Sequence, residues 1–492
     1  MAKRIVVDIL SRNAGVTGSS KIITITFPEP IYTPNGISKV VSFMVDCGIL
    51  QGEDDADSYN RYIPYSQVED LAFVLLTHAH ADHYGLIPLL IKQGFLNPIF
   101  TTATTKLFLK TVALEDCFKI MKRSSKKAHL EPVYEERDIE IMKQMMIGCP
   151  YNEKITYNDY IHFYFFSNGH VPGAASIFLE ITYPGYKPIQ LFFTGDYNNH
   201  NMFFPVEPIP EWVIDKEVFI ITESTYGNVS SKQINDDSSN LVDNVVSALY
   251  QNKQVLIPGF AFGRIQEILA DLQAPFTDGR LKPSIPVYVD GTTAVENTKL
   301  FLEGSFKMYP YRRNFLPKST CFVENKKERQ MILNDPSAKI ILASSGMASY
   351  GASSVYVKHF IEDPTCLIHA SGYVSPSSTL GKLKALPTNC STCLGKEIYT
   401  KRANILDTKK YSAHAKNDVL IALLKQFKKI NGIFIDHGEP MVREYFRTLI
   451  KDSVNTKDVV ILSPSYAFRI TSDQIVSRYP IIPKKERKED AS

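Results

Sequence analysis

The sequence predicts an α/β protein of two domains, one threaded into the other. Three observations carry this. The first two hundred or so residues read as short strands that run directly into polar loops. From about 213 to 400, strands alternate with helical stretches, the pattern of a parallel sheet covered on both faces. Past residue 400 the chain returns to a strand that ends at a histidine, so an insertion explains the order better than two domains in tandem. The expected division is 1–212 and 401–480 for the split domain, 213–400 for the inserted one, and 481–492 for a charged tail expected to be disordered.

Taken in order, residues 5–10, 21–27 and 40–45 are β-branched runs bounded by Gly, Asn or Pro, which read as strands. Residues 71–76 (LAFVLL) form a continuous apolar strand ending in a histidine-rich turn. Residues 161–166 and 189–193 are strands of the same plan. In the middle region 218–222, 255–257, 287–289, 339–342 and 366–369 read as strands, and 237–251 and 264–272 as helices. A helix over 417–427 then precedes a strand over 432–435 that stops at His437. A packed strand delivering polar groups at its C-terminal end holds them rigidly.

Composition narrows the class. A length of 492 residues exceeds one ordinary domain. Hydrophobic residues make up 44% and charged residues 22%, which excludes a disordered or fibrous chain. A net charge of +3 argues against a strongly basic nucleic-acid coat protein. Seven scattered cysteines do not make a disulfide scaffold, and the odd count suits a reducing compartment. Cys390 and Cys393 form a lone C-x-x-C and read as two ordinary thiols. The N-terminal MAKRIVVDIL lacks the apolar stretch of a signal peptide, and no apolar run approaches the ~18 residues that cross a bilayer. A soluble cytoplasmic protein without a membrane partner is the expectation.

The strongest motif is T-H-A-H-A-D-H, residues 77–83. Four metal-competent side chains packed after a buried strand would repel or desolvate one another unless something positive tied them down. Imidazole and carboxylate are ligands for a divalent ion such as zinc. His78 and His80, two apart, point the same way in an extended turn, while Asp82 and His83 can diverge to a second ion. Two further segments can complete such a site: N-G-H-V-P-G-A-A-S with His170, and F-F-T-G-D-Y with Asp196, each after a buried strand. Asp196 could bridge two ions. V-D-C-G puts Asp46 at a strand end, where a carboxylate could orient a ligating imidazole or simply cap a turn.

HAHADH, GHVPGAAS and TGDY resemble the motifs of the metallo-β-lactamase fold hydrolases. T-E-S-T-Y-G, Y-S-A-H-A, D-H-G-E, P-G-F-A-F-G-R-I-Q-E, S-S-G-M-A-S and S-G-Y-V-S-P-S-S-T-L-G-K resemble those of the β-CASP nucleases, in the branch of the mRNA 3′-end cleavage endonuclease. The resemblance runs from about Asp8 to about Glu439. It implies a four-layer αββα metallo-β-lactamase domain with an inserted β-CASP α/β domain built on a parallel sheet. It also implies a two-zinc nuclease, with manganese as the other metal that such ligands accept. His78, His80 and His170 would hold the first ion; Asp82, His83 and His437 the second; Asp196 would bridge them. A bridging water would attack the phosphodiester, His414 would protonate the leaving oxygen, and Glu223 would hold that imidazole. Arg264, at a helix start after Gly263, and the loops with Ser344, Ser345, Gly346, Ser371, Gly372, Thr379 and Lys382 would bind RNA phosphates.

The resemblance implies a single-stranded RNA substrate, cleaved within the strand, with 5′-to-3′ exonuclease action as a second mode; a homodimer is allowed. Two rivals stand beside it: a metallohydrolase of small esters or thioesters, and a catalytically silent RNA-processing scaffold. The chain departs from the family at Lys416, where an Asp is common, with Asp418 as a candidate substitute or a helix cap, and at Gly381-Lys382, where glycine-arginine is common. Lys119, Lys122, Arg123, Lys126 and Lys127 look spread around a helix and its end, a solvated face or a rail for substrate. Tyr59, Tyr62 and Tyr65, near Gln51 and Gly52, read as packing residues or as stacking platforms for bases.

Overall fold

The computed structural model describes residues 4–13, 15–51, 56–63, 68–232, 240–372, 374–408 and 411–480, apart from the side chains of Lys127 and Val476. Gly52, Tyr65 and the tail over 481–492 lie outside the described residues.

Two mixed sheets pack face to face. One has eight strands in the order Ile475–Pro480, Tyr466–Ile470, Val6–Asn13, Ser20–Thr33, Gly36–Cys47, Leu71–Leu75, Ile99–Thr102 and Met146–Cys149. The other has seven, in the order Val459–Ile461, Lys429–Ile435, Glu217–Thr222, Tyr186–Phe193, Ala175–Tyr183, Ile161–Ser167 and Ile155–Asn158. Period-two alternation sends Ile23, Ile25, Phe43 and Phe73 from the first sheet against Phe163, Phe165, Ile177 and Leu191 from the second. Phe43 stacks on Phe73 at 4.5 Å and Phe73 lies 5.7 Å from Phe163. Truncating such a ring to Ala would cost about 3–5 kcal/mol.

Helices cover both outer faces. Ile87–Lys92, Leu114–Lys127 and Glu136–Met145 lie on the eight-stranded sheet through Leu90, Phe118 and Met142. Asn417–Leu424 and Pro440–Ser453 lie on the seven-stranded sheet, where Leu420 and Phe446 join Ile220 and Ile433. The four layers are therefore α, β, β, α, the expected class.

A third sheet is wholly parallel: Thr320–Val323, Val287–Asp290, Ile340–Ala343, Gln254–Pro258, Cys366–Ala370 and Asn404–Asp407. Its helices, among them Arg264–Thr277 and Gly351–Phe360, bury apolar residues against its two faces.

One placement differs from the sequence reading. The pattern groups the strand at 217–222 with the alternating region from 213, but it pairs in parallel with Tyr186–Phe193 and with Lys429–Ile435. Its run EVFIIT is buried on both faces, and an apolar run of that kind fits any parallel sheet equally well. The parallel six-stranded sheet begins only at Gln254 and ends at Asp407. The C-x-x-C cysteines are free and exposed, beside a short hairpin of Ser391–Leu394 and Glu397–Thr400.

Candidate metal centre and acid–base dyad

The site residues sit at strand ends of the sandwich. Thr77 to His83 follow Leu71–Leu75, and His170 follows Ile161–Ser167. Asp196 follows Tyr186–Phe193, Glu223 follows Glu217–Thr222, and His437 follows Lys429–Ile435. Backbone geometry is specialised there. Asp46 and His437 are non-glycine residues at φ 59° and 49°, a conformation costing on the order of 1–3 kcal/mol that surrounding contacts must hold. Gly48 is required by close approach: a Cβ there would run into the backbone of Asp82 and His83.

The histidines and aspartates converge. His80 Nδ1 lies 3.1 Å from His78 Nε2 and 3.0 Å from His170 Nε2. Asp196 Oδ2 is 3.7 Å from His78 Nε2, 3.6 Å from His170 Nε2 and 3.3 Å from His83 Nε2. Asp82 Oδ2 is 3.9 Å from His83 Nε2 and 3.8 Å from His437 Nε2, and that nitrogen is 3.6 Å from Asp196 Oδ1. The atoms form two groups that could each hold an ion, His78, His80, His170 and Asp196 in one, Asp82, His83 and His437 in the other. Asp196 faces both.

The far side of four of the five rings is fixed. His83 Nδ1 is 2.8 Å from Asp46 Oδ2, and Thr77 donates to the same carboxylate from its amide and its hydroxyl. His78 Nδ1 is 3.1 Å from Thr77 Oγ1, His170 Nδ1 is 3.2 Å from the Ala413 carbonyl, and His437 Nδ1 is 3.0 Å from Thr225 Oγ1. These partners orient the rings so that the opposite nitrogens meet.

The donor set fits divalent cations. His83 Nε2 and His437 Nε2 are buried and find no hydrogen-bond partner among the described residues, a cost that a ligand ion removes. Electrostatics agree. Burial pushes His78, His80 and His170 below the ordinary imidazole range, leaving them neutral as ligation requires. Burial acts the same way on His83 and His437, but Asp196 leads the carboxylates that outweigh it and raise both. The field that would hold protons on those two rings is the field that draws a metal ion.

Beside this cluster stands His414. Its Nδ1 is 2.8 Å from Glu223 Oε2, and its Nε2 is 3.8 Å from Asp196 Oδ2. Glu223 is buried and its other oxygen accepts the Tyr197 amide at 2.5 Å, which locks the carboxylate.

Of the expected phosphate contacts, part converges. Arg264 opens its helix after Gly263, whose φ is 90°, and its Nε and Nη1 are buried without hydrogen-bond partners among the described residues. Ser371 donates to the Pro258 carbonyl at 2.8 Å, and a Cβ on Gly346 would touch the Phe260 amide. The loops of Arg264, Ser371 and Gly372, and Ser344 to Gly346 therefore abut. Ser345 spends its hydroxyl on the Tyr350 carbonyl at 3.2 Å. Thr379 and Lys382 sit one helix away, against the turn of Met347 and Ser349, and Lys382 is exposed.

Asp418 does not substitute for the missing aspartate: it is exposed and accepts from the amide and hydroxyl of Ser231. Lys416 instead lies under the site, its Nζ 3.5 Å over the Tyr226 ring. Tyr59 is tied by its hydroxyl to the Gly18 carbonyl and covered by Arg12, while Tyr62 is exposed. Sequence reasoning missed Thr77 and Thr225 as orienting groups. It also missed a buried ion pair beneath the cluster, Lys21 Nζ to Asp436 Oδ2 at 2.7 Å. A signal was present, because Lys21 is in phase with the inward residues Ile23 and Ile25.

Buried imidazoles and carboxylates at the strand ends of an αββα sandwich, with a histidine–carboxylate pair alongside, define a metal-dependent hydrolase. Residues 41–108 match the Metallo-beta-lactamase superfamily, 265–383 the Beta-Casp domain, and 398–462 the Zn-dependent metallo-hydrolase RNA specificity domain. The chain thus carries metallo-β-lactamase and Beta-Casp domains, with the RNA specificity domain after them. It is 29% identical to Transcription termination factor FttA of Methanosarcina mazei over 80% of this chain and 63% of that protein. It is 27% identical to a ribonuclease of Thermus thermophilus over 80% of this chain and 87% of the relative. A probable RNase of Methanocaldococcus jannaschii is 28% identical, with the same coverage of 80% and 87%. The chain thus spans less than two thirds of the termination factor's length.

Proposed function

We propose that the chain is a two-zinc ribonuclease that hydrolyses single-stranded RNA, cutting within the strand and, as a second mode, from a 5′ end. The observation that carries this reading is the His414–Glu223 pair facing the ligand cluster, with Nε2 of His414 3.8 Å from Asp196. A phosphodiester needs an acid for its leaving oxygen, and an imidazole that is held at Nδ1 and turns its Nε2 to the ligand cluster can supply one. When bound, the two divalent ions supply charge neutralisation for the phosphate and a water acidic enough to attack.

The chain's own residues do the rest. Asp46 and Thr77 hold His83, Thr225 holds His437, and Asp196 spans both ligand groups. With Nδ1 donating to Glu223, His414 keeps Nε2 for the proton that leaves with the product oxygen. Arg264 and the abutting loops of the six-stranded sheet, proposed here as an inserted domain roofing the site, would hold flanking phosphates. The relatives named as ribonucleases support an RNA substrate.

The test is incubation with single-stranded RNA, once linear with a labelled 5′ phosphate and once circular, with and without chelator. Cleaved circles, lost on chelation and restored by zinc, are expected. Activity that survives full chelation, or turnover of a small ester with intact RNA, would end this reading.

A further inference from the structure

The helix Leu114–Lys127 carries a charged surface that the catalytic site does not use. Its core side is Leu114, Cys117, Phe118 and Ser125, all buried. Lys119, Lys122, Arg123 and Lys126 are all exposed and follow the spacing i, i+3, i+4, i+7. They fall on one face about 100° wide, not around the helix, because each turn takes 3.6 residues. The stripe is about 10 Å long. None of the four makes an ion pair with a described residue, although the helix has carboxylates of its own; Glu115, in its first turn, is taken by Lys143 at 2.8 Å. Four like charges on neighbouring turns repel one another, and the one contact any of them makes with the fold among the described residues is Lys122 Nζ 5.4 Å over the Phe118 ring.

The position of the helix gives the stripe a direction. The Tyr84 hydroxyl, on the short helix that carries Asp82 and His83, donates to the Ala113 carbonyl at 2.7 Å, the residue before Leu114. Phe108, one turn earlier, lies 4.5 Å from Phe262, and Phe262 lies 5.7 Å from the His80 ring. The helix therefore starts next to the metal ligands and the Phe262 turn that precedes Arg264, and its cations lie at exposed positions.

We infer that the face formed by Lys119, Lys122, Arg123 and Lys126 is a docking surface for the sugar-phosphate backbone of single-stranded RNA outside the cleft. The inference rests on the ribonuclease reading for its partner. It rests on charge complementarity and continuity with the cleft for its place. Exposed, unpaired cations bind a polyanion by releasing its counterions, without regard to sequence, so the surface sets affinity for long substrates.

The test measures binding of a roughly 20-nucleotide fluorescent single-stranded RNA to the full chain in chelator, across a salt series. In the variant with all four residues changed to Ala, binding is expected to weaken at least about tenfold at low salt. The slope of log affinity against log salt should flatten by up to about 2.8, some 0.7 for each phosphate no longer neutralised. Removing Lys425 and Lys451, exposed on the opposite outer layer, should leave the slope unchanged. Because the four side chains are exposed and unpaired, the melting temperature should stay at the wild-type value. Cleavage of a dinucleotide, whose single phosphodiester must lie in the catalytic site, should also be unaffected. An unchanged slope in the fourfold variant, or an equal loss in the Lys425/Lys451 control, overturns this inference and leaves the ribonuclease reading standing. A wild-type chain that binds no RNA overturns both. Loss of short-substrate cleavage in the fourfold variant would place these residues in the catalytic site and overturn the docking role.

Discussion

Two buried lysines flank the same chemistry and are held in opposite ways. Lys21 is 6% exposed and reaches Asp436 at 2.7 Å and Ser19 Oγ at 2.8 Å. Burial works against its charge, but Asp436 and then Asp46 more than compensate, and its pKa is raised. Lys416 is 9% exposed, its Nζ has no hydrogen-bond partner among the described residues, and it lies over the Tyr226 ring. Burial lowers its pKa to about 7, Glu223 only partly opposing and Arg264 adding to the fall. Depth alone therefore does not decide what a buried cation costs; a carboxylate within contact does. Lys21 braces the turn that presents His437. Lys416 is a burden the fold carries next to His414.

The largest expected effect comes from breaking the paired lysine. Lys21→Met strands Asp436 in the interior and should cost about 3–5 kcal/mol in urea unfolding. It should also loosen His437, so that a chelator strips metal from the variant at lower concentration; an unshifted unfolding midpoint would erase the contrast between the two lysines.

Lys416→Met should do the reverse and stabilise the chain by on the order of 2–4 kcal/mol at pH 7 and below. The sign follows from its depressed pKa of about 7 against 10.5 for an ordinary lysine. Between those values the unfolded chain holds the proton and the folded chain does not, so wild-type stability rises with pH through that window. The gain from the substitution should shrink over the same range, as melts from pH 6 to 10 would reveal; a pH-independent difference points to packing alone.

A smaller change sharpens the second half of the contrast. Tyr226→Leu removes the ring beneath Lys416 and should destabilise by about 1–2 kcal/mol, the scale of a desolvated cation–π contact. In Lys416→Met the same change should cost less, which a double-mutant cycle reads directly. The smallest effect is expected where both charges go: Lys21→Met with Asp436→Leu should return to within about 1 kcal/mol of wild type, since an apolar pair replaces a buried ion pair at little net cost.

Much of the centre was legible because metal ligation needs a few residue types at short spacing. Four of the seven candidate ligands, His78, His80, Asp82 and His83, lie in one run of six residues. His170, Asp196 and His437 each follow a strand that the apolar pattern marks. What was not legible depends on pairing across the chain. Nothing local tells that the strand Glu217–Thr222 joins Lys429–Ile435 rather than its nearer neighbours, since both are continuous apolar runs. Lys21 and Asp436 meet only because those sheets bring the strand Ser20–Thr33 over the end of Lys429–Ile435. Asp418 illustrates the same limit on a smaller scale: it lies in the first turn of Asn417–Leu424, past the bend that holds His414, and binds Ser231. The basic stripe is hidden for a different reason. Read without the helical period its cations look spread around the helix, whereas 3.6 residues per turn put Lys119, Lys122, Arg123 and Lys126 on one face.

The centre draws on residues from Asp46 to His437, and its last ligand arrives on the strand that also completes the sheet beside Glu217–Thr222. A growing chain that has not yet reached residue 429 lacks that strand, the His414 side's supporting neighbour and the seventh ligand together. The order of the chain thus makes one event of two: the seven-stranded sheet and the ligand cluster are completed together, and neither is whole without residues 429–437.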